Sequence, residues 1–346
     1  MLKTLIASCL MAFPLMALAA LNYQEPVDEI KSLVEAPLAP QVRLDSRGEH
    51  LLLLYRDSYK TIAELSEPEL RLGGLRVNPL INAGSRTRYY NALAMKDLGE
   101  GAAPDSRVAP VQGLPTKPRL AHFTWSPDER YVTFTHAAEK GVEIWLLDVT
   151  SQRARRLSQA SANANLGNPV TWSADSQSLL VRMLPENTGE LIETSTAVPT
   201  GPTVSDSDGA KAQNRTYQDL LKSPADEHNF ERLARSVIYH FDLKGNSERW
   251  LAEDLYRDVD ISPDGRYVLV TKIKRPFSYL VPFYRFASST DILSRAGVRV
   301  KQLLDKPVDE VRPKGFMATT KEKRGFSWMA DLPATITWVC LLYTSD

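Results

Sequence analysis

The chain has 346 residues, 43% of them hydrophobic and 8% aromatic, and 42 lysines and arginines balance 42 aspartates and glutamates. That length is ample for a sizeable core. The charge balance leaves no basic excess for nucleic acid or an anionic membrane and no acidic tail.

Met1-Leu2-Lys3 is followed by an apolar run from Leu5 to Ala19 that ends in Ala17-Leu18-Ala19. One positive charge, about 15 apolar residues and a small-x-small site form the export-signal pattern. Residues 1–20 are therefore expected to be a signal peptide, cleaved near Ala19 or Ala20, and the mature protein periplasmic or secreted. A buried N-terminal helix is the alternative. No segment reaches about 18 apolar residues, so no membrane span is expected. Ile6-Ala7-Ser8-Cys9 has the spelling of a lipoprotein site but precedes most of the apolar run. The only other cysteine is Cys340, so the body is expected to fold without a disulfide.

Beyond the signal, Val27, Ile30 and Val34 suggest a short amphipathic helix. Val42-Arg43-Leu44-Asp45-Ser46-Arg47-Gly48 is then a weak first copy of a motif: a β-type run, a tight turn and a second β-type run. The stretches 67–85 and 99–118 read as loops, with Ala94-Met95-Lys96-Asp97-Leu98 between them spelling a strand that ends in aspartate. The motif recurs as Phe123-Thr124-Trp125-Ser126-Pro127-Asp128, Val170-Thr171-Trp172-Ser173-Ala174-Asp175, Val259-Asp260-Ile261-Ser262-Pro263-Asp264-Gly265 and Phe326-Ser327-Trp328-Met329-Ala330-Asp331. In the fourth of these five copies Pro263 presets φ, Asp264 can bond the backbone locally, and Gly265 tolerates positive φ. After the turn, Val132 and Phe134 alternate with Tyr131 and Thr133 in the two-residue period of a strand.

A second marker, a strand ending in aspartate and an apolar residue, occurs at 144–149 and 237–243. Asp128 to Asp148 spans 20 residues and Asp175 to Asp242 spans 67, so one repeat carries an insertion. With it removed, the period of about 40 to 50 residues fits four-stranded propeller blades better than a β-sandwich. The expected fold is all-β, a β-propeller with about five blade starts, at Asp45, Asp128, Asp175, Asp264 and Asp331, and a small helical insertion.

Within the insertion, residues 200–212 read as loop. Thr216-Tyr217-Gln218-Asp219 and Ser223-Pro224-Ala225-Asp226 read as capping boxes, with Phe230, Leu233 and Ala234 on one face. The fifth repeat barely enters its second strand, over 334–339. Because closed rings protect sheet edges, the sequence looks like part of a seven- or eight-bladed ring. Residues 340–346 break the repeat and read as a non-native tail. The domain expectation is a signal at 1–20, a partial propeller at 21–339 with its insertion at about 215–235, and the tail.

Three segments resemble the prolyl oligopeptidase family of serine peptidases, in its glutamyl endopeptidase branch. They are 27–37, Glu64-Leu65-Ser66-Glu67-Pro68-Glu69-Leu70-Arg71-Leu72-Gly73-Gly74-Leu75-Arg76-Val77-Asn78-Pro79, and Arg215-Thr216-Tyr217-Gln218-Asp219-Leu220-Leu221-Lys222. The resemblance implies an N-terminal propeller that restricts peptide access to a C-terminal α/β-hydrolase domain bearing a Ser-Asp-His triad, with cleavage after glutamate. Its implied partners are peptide substrates and that hydrolase domain. No G-x-S-x-G nucleophile elbow occurs; Gly325-Phe326-Ser327-Trp328-Met329 lacks the closing glycine, so no catalytic residue carries over. The fragment alone is expected to be inactive.

No cofactor or metal is expected. His50, His122, His136, His228 and His240 lack metal-ligand spacing, and Asp206-Ser207-Asp208-Gly209 lacks the rest of a calcium loop. His122 and His136 read as structural or surface groups. Asn214-Arg215-Thr216 spells a glycosylation sequon. Asp226-Glu227 reads as helix capping, not as an anchor for a substrate amino terminus. Arg215 and Arg285 are the candidate cations for a glutamate side chain, against the default of solvated surface arginines. The rival reading is a non-enzymatic periplasmic propeller that binds a protein or peptide, and a weaker one is a sugar hydrolase with paired carboxylates inside the ring.

Overall fold

The computed structural model describes residues 25–99, 107–193, 217–311 and 322–340, in two compact units divided after Pro37. The signal segment, residues 200–212, Asp206-Ser207-Asp208-Gly209, Asn214-Arg215-Thr216 and residues 341–346 lie outside the described residues. The first unit contains a seven-residue helix, α1 (Asp28–Val34), with Asp28 and Glu29 in its first turn, where carboxylates suit the helix dipole. Its apolar residues Ile30 and Val34 are exposed.

In the second unit the five turn motifs separate the first and second strands of five antiparallel sheets. The first sheet pairs β1 (Gln41–Leu44) with β2 (His50–Tyr55). Before it continues, the chain forms a one-turn helix, α2 (Ile62–Leu65), and a small sheet of β3 (Leu70–Leu72), β4 (Leu75–Asn78) and β5 (Ala83–Gly84). Then β6 (Ala92–Asp97) and β7 (Ala109–Pro110) complete the order β1-β2-β6-β7. The second sheet is a meander of β8 (Leu120–Trp125), β9 (Tyr131–Ala138), β10 (Gly141–Asp148) and β11 (Arg153–Arg156).

The third consists of β12 (Val170–Trp172), β13 (Ser178–Met183), β14 (Ser236–Asp242) and β15 (Ser247–Asp254), with helix α3 (Pro224–Ala234) inserted between β13 and β14. The fourth runs β16 (Tyr256–Ile261), β17 (Tyr267–Ile273), β18 (Ser288–Ser294) and β19 (Arg299–Lys306). A hairpin of β20 (Arg324–Trp328) and β21 (Ile336–Val339) follows. These are propeller blades, as the repeat predicts, and the aspartate-ended runs at 94–98, 144–149 and 237–243 are third strands.

The alternation in β9 has a different meaning from a half-buried strand. Val132 and Phe134 pack toward the first sheet with Leu52, Leu54 and Met95. Their neighbours point at the third sheet, where Tyr131 stacks on Trp172. Both faces of the second sheet are thus buried between neighbours, and each fully buried large side chain contributes roughly 1.5–3 kcal/mol.

Side chains also bridge successive first strands. Arg43 Nη1 donates to the carbonyl of Phe123 (3.1 Å), Trp172 Nε1 to Thr124 (3.3 Å), Thr171 Oγ1 to Val259 (2.9 Å) and Trp328 Nε1 to Asp260 (3.2 Å).

The turns owe their repetition to a serine as much as to the aspartate. Ser126 Oγ donates to Asp128 (2.6 Å) and accepts from Tyr131 N (3.0 Å). Ser173 does the same with Asp175 (2.5 Å) and Ser178 N (3.0 Å), and Ser262 with Asp264 (2.6 Å) and Tyr267 N (3.0 Å). Gly265 has φ +70°, as its turn position requires.

Several expectations need correction. The segment 67–85 is not simply loop, since it contains β3 to β5, and β7 lies within 99–118. No helix begins at Tyr217-Gln218-Asp219; Asp219 sits at φ +59°, outside helical geometry. The second is an N-cap but not a full box: Ser223 Oγ accepts from Asp226 N, while Asp226 accepts from Lys222 N (2.8 Å) and not from Ser223 N; Phe230, Leu233 and Ala234 are buried. The last strand begins at Ile336, not at 334. Cys340 is exposed and free.

Candidate functional site

First strands β8, β12, β16 and β20 border a cavity of about 860 Å³. Its wall contains Arg182, which projects from β13 and is buried. The guanidinium donates to the carbonyls of Asn168 (2.5 Å) and Arg257 (2.7 Å), and at longer range to Tyr256 (3.3 Å) and Leu166 (3.4 Å). Carbonyl dipoles satisfy its protons without cancelling its charge. Burial therefore pulls its pKa down to about 10, and the charge of Asp258 opposes that pull.

The same field reaches His122. Burial, with Arg182 adding to it, depresses this imidazole to about 4, so it is neutral at pH 7. On β16, Asp258 and Asp260 both line the cavity, and Arg257 Nε pairs with Asp258 at 2.7 Å. Burial raises the Asp260 carboxyl, the charge of Asp258 adds to the rise, and the backbone N–H of Ile261 works against it.

The sequence-based candidates fall elsewhere. Arg285 is not a solvated cation: it is buried on a 3₁₀ turn (Phe283–Arg285), 3.0 Å from buried Asp309, and bonds the Tyr217 hydroxyl. Asp226 caps α3, whereas Glu227 pairs with Arg275 (2.9 Å), so its partner lies outside the helix. His136 is buried 3.0 Å from Glu143, which also meets Arg156 (3.0 Å) and Trp145 Nε1 (2.8 Å). His240 lies 3.6 Å from Glu248, and His228 bonds the carbonyl of Glu190 (3.1 Å).

His50 joins Asp45 and Glu49 in a cluster with ligand atoms within 4.8 Å of one another. There Asp45 already accepts from Glu49 N (2.8 Å) and meets His50 Nδ1 (3.0 Å), which closes the first turn in place of a serine. Sequence reasoning missed Arg182 altogether; its one signal was a charged residue inside the apolar run Leu179-Leu180-Val181-Arg182-Met183.

Two of the three segments that carry the family resemblance, 64–79 and the described part of 215–222, meet in space. Asp219 pairs with Arg76 (2.6 Å), and its carbonyl accepts from Gly74 N (2.8 Å). Gly73 O accepts from Phe283 N (2.7 Å), and a Cβ on Gly74 would lie 2.6 Å from Pro282 Cβ. Leu72, Val77, Leu221, Phe230 and Phe286 share one core beneath these contacts.

By architecture the chain is a β-propeller with three insertions, after β2, β13 and β17, that pack on one another. No protein-family model matches it. It is 30% identical over 326 residues to the probable chloroplastic glutamyl endopeptidase of Arabidopsis thaliana, which covers 91% of this chain and 33% of that protein. The Oryza sativa subsp. japonica protein of the same description is 29% identical over 332 residues, 93% of this chain and 35% of its own length.

Solved structures similar to it include an acylaminoacyl peptidase of Pyrococcus horikoshii (14% identity, TM-score 0.42, 80% of this chain and 34% of that one). The β-propeller domain of the Trilobed protease from Pyrococcus furiosus is another (14% identity, TM-score 0.39, 78% and 59%). The chain is related to the glutamyl endopeptidases of the prolyl oligopeptidase family, and it spans about a third of the length of the curated relatives it matches.

Proposed function

We propose that this chain is the propeller part of an exported serine peptidase, where it governs peptide entry to an α/β-hydrolase domain encoded beyond it, with cleavage after glutamate. The observation that carries the reading is the 30% identity, sustained over 91% of the chain, to a probable glutamyl endopeptidase. The cavity bordered by the first strands supports it, because a passage there would sort substrates by width. The chemistry itself belongs to a nucleophile, a base and an oxyanion site that the 346 residues do not spell.

The test begins with the reading frame past the codon for Val339. The expected result is a continuous frame that encodes G-x-S-x-G, and a full-length product that cleaves glutamyl peptides and loses activity when that serine becomes alanine. A stop codon with no hydrolase sequence before it would sink the proposal. Mass spectrometry of the exported protein checks the leader: the expected mature chain begins just after Ala19 or Ala20, and an intact Met1 in the cytoplasmic fraction argues against export.

A further inference from the structure

The chain between β2 and β6, together with the approach to β8, encloses an open cleft of about 860 Å³. Seven cationic side chains line it against four carboxylates. All four carboxylates have hydrogen-bond partners within the fold, but only Glu67 and Glu69 pair with cations, so Asp57 and Glu64 keep their charge and the cleft carries an excess of three positive charges. Glu67 pairs with Arg119 (2.9 Å) and accepts from Asn78 (2.8 Å). Glu69 accepts from Ser85 (2.6 Å) and pairs with Arg86 (2.9 Å) and Arg71 (3.0 Å). Glu64 closes the capping box of α2 with Thr61, and Asp57 accepts from Asn91 (2.8 Å).

The remaining cations, Arg56, Lys60, Arg88 and Lys117, have no carboxylate partner among the described residues. They come from three separate segments: two follow β2, one precedes β6 and one precedes β8. Cations spread in this way suit an extended chain of negative charges better than a single phosphate, for which several donors must converge on one point. The cleft also presents Tyr59 and Leu65, 69% and 68% exposed, so its occupant should carry apolar side chains among its charges.

We propose that this cleft binds an acidic peptide segment, with carboxylates set against Arg56, Lys60, Arg88 and Lys117 and apolar side chains against Tyr59 and Leu65. The choice of a peptide rests on the peptidase reading. Binding is measured without turnover, so failure of the cleft and failure of that reading are separate results.

The probe is a dye-labelled peptide of alternating glutamate and leucine, titrated against the full chain by fluorescence anisotropy. Its glutamine-for-glutamate counterpart is expected to bind at least ~10-fold more weakly, and added salt should weaken the acidic peptide as the Debye length shrinks. Lys60→Ala with Arg88→Ala should weaken binding by about 5–10-fold, and Tyr59→Ala should weaken it by a smaller factor. These residues are exposed, so an unchanged circular dichroism spectrum is expected, and Arg249→Ala on the outer strand β15 should leave binding unaltered. Equal binding of the two peptides, or a double variant that binds like the parent, overturns the proposal. A single-stranded oligonucleotide of equal charge that binds as tightly would overturn the assignment to a peptide.

Discussion

The substitution His122→Asn should make the protein resistant to mild acid. His122 lies at a bulge of β8 with φ +53°, a conformation that asparagine tolerates and most side chains do not. Its Nδ1 is 3.0 Å from Thr135 Oγ1, and that hydroxyl donates its single proton to the carbonyl of Ala121 (3.1 Å). Nδ1 must then donate, which leaves Nε2 as the atom that protonates, in the field of Arg182. The folded pKa of about 4 lies below the unfolded value of about 6.5, so the unfolded chain takes up this proton first. The stabilisation is complete above pH 6.5 and is lost as the pH falls toward 4. Linkage gives a loss of about 2 kcal/mol by pH 5 and about 3 kcal/mol by pH 4. Urea denaturation of both proteins at pH 7, 5 and 4 isolates this residue, because every other titrating group is common to the pair. The asparagine variant should gain on the parent by those amounts as the pH falls. Parallel stability curves would refute the claim that the fold holds this imidazole neutral.

Ser126→Ala, Ser173→Ala and Ser262→Ala should each cost about 1 kcal/mol in urea denaturation, because each removes one hydrogen bond to an aspartate and one from a backbone N–H. A cost confined to one of the three would show that the turns are not equivalent. Arg285→Met removes one of the two cations paired with the buried Asp309 and leaves Lys306 at 3.2 Å, so it should cost about 1.5–3 kcal/mol, read as a lowered urea midpoint with unchanged slope. Gly74→Ala drives a Cβ to 2.6 Å from Pro282 at φ +85° and should cost more than about 1 kcal/mol, measured in the same way.

The elements legible in the sequence are those whose determinants are local. Ser262, Asp264 and Gly265 make their turn among themselves, and Ser223, Pro224 and Asp226 start α3 within four residues. The elements that stayed hidden depend on distant partners. β7 is only Ala109 and Pro110, and β5 only Ala83 and Gly84, too short for a period to register. The hairpin β3–β4 turns through Gly73 and Gly74, which read as loop until Asp219 and Phe283 are seen to bond them. Arg182 finds its acceptors at Tyr256 and Arg257, more than seventy positions away, and no spacing rule connects them. The sequence reads His122 as a structural or surface group, whereas burial depresses its pKa and a guanidinium on the next sheet adds to the fall.

The separation between repeated and unrepeated parts has a structural logic. The aspartate turns all join first to second strands, and neighbouring copies touch: Asp128 N donates to Ser176 Oγ (3.0 Å) and Asp264 N to the carbonyl of Pro333 (3.0 Å). The three insertions all join second to third strands, which in an antiparallel meander leave the opposite end of the sheet. One end is therefore built from a repeated grammar and the other from segments that occur once. Two of the three segments that carry the resemblance, 64–79 and the described part of 215–222, are at the second end, and they bond each other there through Asp219, Arg76 and Gly74. Their restraint is mutual packing, because a change in one partner leaves the other with a buried gap or an unpaired charge. Kinship residues of this kind report how the loops are held, not what they touch. Contact with a substrate has to be sought instead among groups whose charge the fold leaves uncancelled, such as Arg182 in the cavity wall and Arg88 in the cleft beside α2.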